Sequence, residues 1–413
     1  MWKYAKADLY NTILDGKDKD FGGVAAIKVS RSGTLNLHGG TVLRNFKNSA
    51  LNIEFANNDY PSAEFNVCDG TVRISNSSFS SYQDDPDDYT HDKDNRIVVN
   101  EGATLVIEGS TLKRAWIINK GTVIIKKSEN GTMSELVNCM IENTSTSKLE
   151  ISDTKIHDFN RWIGPYEGVY PTMIHGINAN VSLKDTEIYN NKNTYGAAAP
   201  AGTPGASIIS LKGGSITMDN VKAHDNANNS DGGVMHTVDT NVTIENSTFK
   251  DNSAKNQKQT EIDDGQWYAK GGALYIEDDH TTDVKHTTII KDTTFEGNKA
   301  TEGGAVFFKS DDKEYGTLTI DITVSTFKNN EARRAGGGLV IWGNGTTAEL
   351  KGVEFLNNTA ANFGGGMAVY FDSDPKGTII TASDKIPSKF DGNKVTEGKN
   401  FAGGGLFIDQ AHV

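Results

Sequence analysis

The sequence predicts an all-β protein: a single right-handed parallel β-helix, or solenoid, of roughly twelve coils. Three observations carry this reading. A Phe-x-x-Asn unit followed by a Gly pair recurs along the C-terminal half. Short stretches with period-two alternation recur along the whole chain, and helical periodicity is found nowhere. Composition agrees: among 413 residues there are 43 Gly and 38 Asn but only 8 Pro, the make-up of a chain of many similar turns. Hydrophobic residues amount to 36 %, below the usual share for a globular domain but enough for a thin core.

The repeat is clearest near the C-terminus. It reads Phe295-Glu-Gly-Asn298 before Gly303-Gly304, Phe327-Lys-Asn-Asn330 before Gly336-Gly-Gly338, Phe355-Leu-Asn-Asn358 before Gly364-Gly-Gly366, and Phe390-Asp-Gly-Asn393 before Gly403-Gly-Gly405. The Phe landmarks lie 32, 28 and 35 residues apart. That spacing suits three short strands and three turns per coil, each coil covering the apolar face of the one before. Phe295, Phe327, Phe355 and Phe390 are expected in an interior stack. The Gly pairs suit a bend with positive φ or close backbone approach. Asn suits a tight turn, where its amide bonds backbone groups and stacks on the Asn of the next coil. Right-handedness follows from the near-universal hand of parallel crossovers. Towards the N-terminus the unit fades to alternating strands such as Thr34-Leu-Asn-Leu37, Thr71-Val-Arg-Ile74 and Thr104-Leu-Val-Ile107.

Gly303-Gly-Ala-Val306 and Gly271-Gly-Ala-Leu274, paired with Phe-x-x-Asn, resemble the repeat of polymorphic outer-membrane-protein passengers and related adhesins, within the wider pectate-lyase-like superfamily of secreted β-helices. The clear motifs cover about residues 220–413. This resemblance implies an extracellular, surface-displayed microbial protein, often adhesive. The repeat specifies a scaffold rather than a function.

The whole of 1–413 reads as one continuous β-helix segment of a longer protein, because the start lacks a secretory signal and the end falls just after a repeat signature. Signal and anchor are expected outside it. Four interruptions stand out: an acidic insertion at 84–95 and long side loops at 161–172, 192–204 and 253–270. Formal net charge is −13, from 41 Lys+Arg and 54 Asp+Glu, which argues against a nucleic-acid partner. No apolar run reaches the roughly 20 residues of a membrane-spanning helix. The two cysteines, Cys68 and Cys139, read as small core residues, and the chain is expected to be a monomer.

Function is sought where the repeat is interrupted. The side loops are expected to project from one edge of the solenoid, walling a groove whose floor is the short coil at 224–236. Trp162, Tyr166, Tyr170, Tyr195, Trp267 and Tyr268 offer flat faces suited to sugar, and His236, Asp263 and Asp264 offer hydrogen bonds. The alternative is that loop aromatics merely cap the ends of apolar ladders. Asp225 and Asp231 are the candidate catalytic pair, since acid/base hydrolysis needs two carboxylates flanking the glycosidic bond. Against this, Asp beside Gly or Asn is ordinary turn chemistry. A lyase would instead need a base and a charge-neutralising cation, with Lys270 and the histidines as candidates for the base. No cofactor is implied. The run Asp84-Asp-Pro-Asp-Asp88 has the oxygen density for Ca²⁺ but not a calcium-loop spacing, and the histidines are too scattered for a metal site.

Two functions therefore compete. One is an adhesin-like protein holding a carbohydrate or host surface glycoconjugate. The other is a β-helix enzyme, a glycoside hydrolase or polysaccharide lyase; lacto-N-biosidase-type hydrolases look similar in scaffold and use two aspartates on the helix flank, a placement matched by Asp225 and Asp231.

Overall fold

The computed structural model describes residues 5–18, 27–29, 33–47, 51–53, 64–81, 96–160, 172–193, 207–254, 269–279, 284–311, 318–344, 346–370, 379–382, 385–397 and 403–409. Among these residues every paired strand runs parallel to its neighbours and there is no helix: the fold is a right-handed parallel β-helix. The chain divides into two compact units, Met1–Ile163 with Met173–Glu187, and Gly164–Thr172 with Ile188–Val413.

In the first unit the first sheet stacks Lys6–Leu9, Thr34–Leu37, Glu64–Val67, Arg96–Val99, Trp116–Asn119, Met140–Asn143 and Ile174–Ile177 in chain order. Second and third sheets follow the same order, one and two strands further along each coil. Alternation places the core. In the second sheet Leu105, Val123, Leu149 and Val181 share one register column and are all buried, so each coil covers the previous one. Cys139 is buried, Cys68 is partly exposed, and both are free thiols.

The second unit repeats this plan with one addition. A fourth sheet of short strands, among them Ala227–Asn228, Ser253–Ala254, Lys299–Glu302, Glu331–Ala335 and Thr359–Ala360, lies between the Asn turn and the Gly pair. Three strands per coil is therefore corrected to four here. The segments read as connecting turns form a parallel ladder because their backbones repeat from coil to coil. The segments 192–204 and 253–270 likewise begin as fourth-sheet strands, at Lys192–Asn193 and Ser253–Ala254.

The repeat motif resolves into three columns. Phe249, Phe295, Phe327, Phe355 and Phe390 stack with ring centroids 4.6–5.1 Å apart. Phe249 extends the expected stack. Phe390 departs from it: at its end, with no further ring to cover it, it is 37 % exposed. Asn191, Asn226, Asn252, Asn298, Asn330, Asn358 and Asn393 form the second column. From Asn226 on, each amide accepts from the backbone N–H and the Nδ2 of the Asn before it, as Asn330 Oδ1 does from Asn298 at 2.9 and 3.0 Å. Its own Nδ2 donates to a carbonyl one coil back, Phe295 O at 3.0 Å for Asn330. A buried polar ladder is thus fully paired. In the Gly column the two glycines do different work. Gly336 has φ 62°, whereas a Cβ on Gly337 would lie 2.1 Å from the carbonyl oxygen of Gly365 on the next coil.

Corners before and after the third sheet are single residues with positive φ, chiefly Asn, Asp and Gly, whose N–H groups continue the ladder to the next coil. This explains the Asn and Asp richness. Their short polar side chains tolerate the left-handed conformation.

One histidine in the first unit carries an acid-sensitive contribution. Burial holds the His175 imidazole down, at about 4. The folded state then keeps it neutral while the unfolded chain binds a proton from about pH 6.5 downward. Stability should be full above that pH and fall by up to about 3 kcal/mol as pH drops towards 4. Urea unfolding across this window would measure it, and His175→Gln should remove that part of the slope.

Candidate functional site

The first-sheet strands of the second unit break the alternation rule. Met235–Val238, Leu274–Asp278 and Met367–Tyr370 are buried at every position. A β-helix strand has one face in the interior, so the second face must be covered as well. The outer columns run His236, Tyr275, Phe307, Val340, Ala368 and then Val238, Glu277, Lys309, Trp342, Tyr370. Tyr275 stacks on Phe307 at 5.5 Å, and Ala335 and Phe363, at the ends of fourth-sheet segments, pack onto the same strip.

Charged groups are threaded through this apolar strip. Glu277, 5 % exposed, receives Lys309 Nζ at 2.7 Å and lies 3.6 Å from His236 Nε2. Burial alone would push the Glu277 carboxyl up; the bonds and charges of His236 and Lys309 outweigh it and bring it down to about 2. Glu302, 2 % exposed, is paired with Arg334 and, at 3.9 Å, with Lys270. Lys270 Nζ also sits 4.8 Å from the Phe307 ring centroid and 5.8 Å from that of Trp342. Both carboxylates are thus compensated, as buried ions must be. The partly exposed Lys270, Arg334, Trp342 and Phe363 leave an aromatic and cationic rim. Such a rim can stack on a flat ligand face and donate hydrogen bonds.

The predicted site residues are distributed as follows. Trp162, Tyr166, Tyr170, Tyr195, Asp263, Asp264, Trp267 and Tyr268 lie outside the described residues, as does the acidic insertion 84–95. His236 is 3 % exposed and packs edge-on against Tyr275 at 4.5 Å, so it positions Glu277 rather than facing solvent. Asp225 is a corner residue with φ 56°, in the same column as Asn190, Asp251, Gly297 and Asn329, and its exposed carboxylate bonds His224 Nδ1 at 2.8 Å. Asp231 accepts the backbone N–H of Lys270 at 2.7 Å, and burial pushes its carboxyl up. Both aspartates therefore have jobs in the turns. Tyr275, Phe307, Lys309, Trp342 and Arg334 were not singled out by sequence reasoning. The available signal was the unbroken apolar character of Leu-Tyr-Ile (274–276), Val-Phe-Phe (306–308) and Leu-Val-Ile-Trp (339–342).

In the first unit an open depression of about 550 Å³ is lined by Arg73, Glu108, Lys126 and Asp153, among others. Its charges pair across the rim, Glu108 with Arg73 at 2.8 Å and with Lys126 at 3.2 Å.

With the columns in place, the motif can be compared with known proteins. Residues 292–309 match the Chlamydia polymorphic membrane protein repeat. The matched window runs from the left-handed corner at Asp292 through Phe295, Asn298 and the Gly303-Gly304 pair into the strand Val306–Asp311. It thus contains one member of each structural column. The same Asn and Gly columns continue on the following coils, at Asn330 with Gly336 and at Asn358 with Gly364. No curated protein and no solved structure matches the chain. No helix among the described residues is long and apolar enough to cross a membrane.

Proposed function

We propose that this chain is the surface-displayed, adhesin-like β-helix of a microbe, binding a carbohydrate or host surface glycoconjugate on the flank of its coils without turning it over. The observation that carries this reading is the polymorphic membrane protein repeat, built into a stack whose every coil serves as scaffold. The rim of Lys270, Arg334, Trp342 and Phe363 supports a ligand on the outer face of the first sheet. The turn roles of Asp225 and Asp231 favour binding over hydrolysis.

A glycan array probed with the purified chain, followed by a hydrolysis assay on the bound glycans, tests this. Saturable binding with no turnover is expected, weakened about tenfold by Trp342→Ala, the loss of one interface aromatic. Absence of binding to every glycan and to host cells would sink the adhesin reading. Turnover abolished by Asp225→Asn or Asp231→Asn would replace it with the hydrolase.

A further inference from the structure

The second unit contains a polar cluster that neither the repeat nor the aromatic strip uses. Leu274–Asp278 ends a first-sheet strand, and His286–Lys291 is the second-sheet strand that follows. Along the first, Leu274, Ile276 and Asp278 share one parity; along the second, His286, Thr288 and Ile290 do. The burial pattern marks the His286 parity as the interior one, and its register neighbour on the next coil is Leu318. Asp278 is 1 % exposed and His286 is 7 % exposed. Asp239, at the corresponding corner of the preceding coil, completes the group. One donor atom from each of Asp239, Asp278 and His286 lies within 4.8 Å of the others.

Two features of this cluster suit a bound cation. First, two carboxylates and an imidazole converge at one corner of the coil, with Ser310 beside Asp278 and Leu318 beside His286 on the next coil. Buried charges of like sign are stable only when paired or when they coordinate a metal. Second, the His286 Nδ1 atom is buried and makes no hydrogen bond. It stands 3.4 Å from Asp278 Oδ1. A tetrahedral ion with donors at about 2.1 Å separates them by about 3.4 Å, so this pair is already spaced as two ligands of one ion.

We propose that Asp239, Asp278 and His286 bind one divalent transition-metal cation of the zinc type. Two carboxylate oxygens and one imidazole nitrogen form a mixed donor set that suits zinc or manganese better than calcium, which takes oxygen ligands. The ion joins two successive coils, since Asp239 belongs to one and Asp278 and His286 to the next. Sequence reasoning set the histidines aside as too scattered for a metal site. The solenoid brings these positions together: the 39 residues from Asp239 to Asp278 are one coil of this stack, so distant positions become neighbours.

The test uses the tag-free chain, stripped of metal with a chelator and titrated calorimetrically with Zn²⁺, with Co²⁺ absorption as a second probe. One ion per chain is expected, with a raised melting temperature. Removing an outer partner of a metal ligand costs 10–100-fold in affinity, so Asp239→Asn and His286→Gln should each weaken Zn²⁺ by more than about 100-fold. Asp239→Asn is the variant that keeps the fold, because Asn tolerates φ 50° and its Oδ1 still accepts the Asp279 N–H now bonded at 2.8 Å. The proposal is overturned if Zn²⁺ shows no saturable binding, if Asp239→Asn binds as tightly as the parent chain, or if the site takes Ca²⁺ in preference to Zn²⁺.

Discussion

Phe327→Ala is expected to destabilise the chain by about 3–5 kcal/mol, the cost of removing a fully buried aromatic ring and leaving a cavity. Phe327 has no exposed surface, and its ring stacks on Phe295 at 4.8 Å and on Phe355 at 5.0 Å. Its loss removes contacts on both sides, and the coils cannot close the gap. Their spacing is held by ladders such as Asn330 N to Asn358 Oδ1 at 3.0 Å. In a solenoid each layer is coupled to its nearest neighbours, so the two flanking interfaces weaken together. Phe390→Ala is the internal comparison. At the exposed end of the same stack it has one ring partner, at 4.6 Å, and should cost roughly 1–2 kcal/mol, part of a full burial. Urea unfolding of both variants measures the difference. Equal effects would mean that the stack is not the source of stability.

Gly337→Ala should be comparably severe, more than about 3 kcal/mol, for a different reason. Gly337 does not need a left-handed backbone; it needs space. An added Cβ would meet Gly365 O at 2.1 Å and Thr359 O at 2.5 Å, both backbone atoms of the next coil. Gly304 and Gly272 meet the same obstacle in turn, at 2.1 and 2.0 Å. Relief would require parting coils joined by Gly337 N to Gly364 O at 3.0 Å. Gly102→Ala separates the two requirements. That residue has φ 75° and open space around its Cβ position, so it should lose only the roughly 1–2 kcal/mol of a left-handed non-glycine residue. Thermal unfolding followed by circular dichroism would rank the pair, and a milder effect at Gly337 than at Gly102 would contradict the close-packed coil.

These columns show how much of the fold was legible. Phe, Asn and Gly recur at coil spacing because each must meet its own copy in the next layer, and that demand is written directly into residue identity. The alternating strands are legible for the same reason, since period two is the period of the pleat. The fourth sheet was not. Lys299–Glu302 and Glu331–Ala335 have mixed compositions, Lys-Ala-Thr-Glu and Glu-Ala-Arg-Arg-Ala, with little β signal of their own. They become strands because the neighbouring coil offers an aligned backbone. Asp225 and Asp231 form a candidate catalytic pair by type and proximity. Their placement came from backbone geometry, one in a left-handed corner and the other on the Lys270 N–H, and neither demand can be told from catalysis by composition.

What the sequence by itself determined is the architecture: a parallel β-helix, its Phe stack, its Asn ladder and the placement of its Gly pairs. These are interactions of like with like at a fixed repeat, and a repeat is visible in one dimension. What only the tertiary structure decided is which unlike residues meet. Lys270 with Glu302 and Arg334, His236 with Glu277 and Lys309, and Asp239 with Asp278 and His286 are brought together from different coils, at separations set by each coil's own length. Coil length varies with every side loop, so these contacts have no constant spacing in the sequence. They are fixed by the stacking that the repeat enforces.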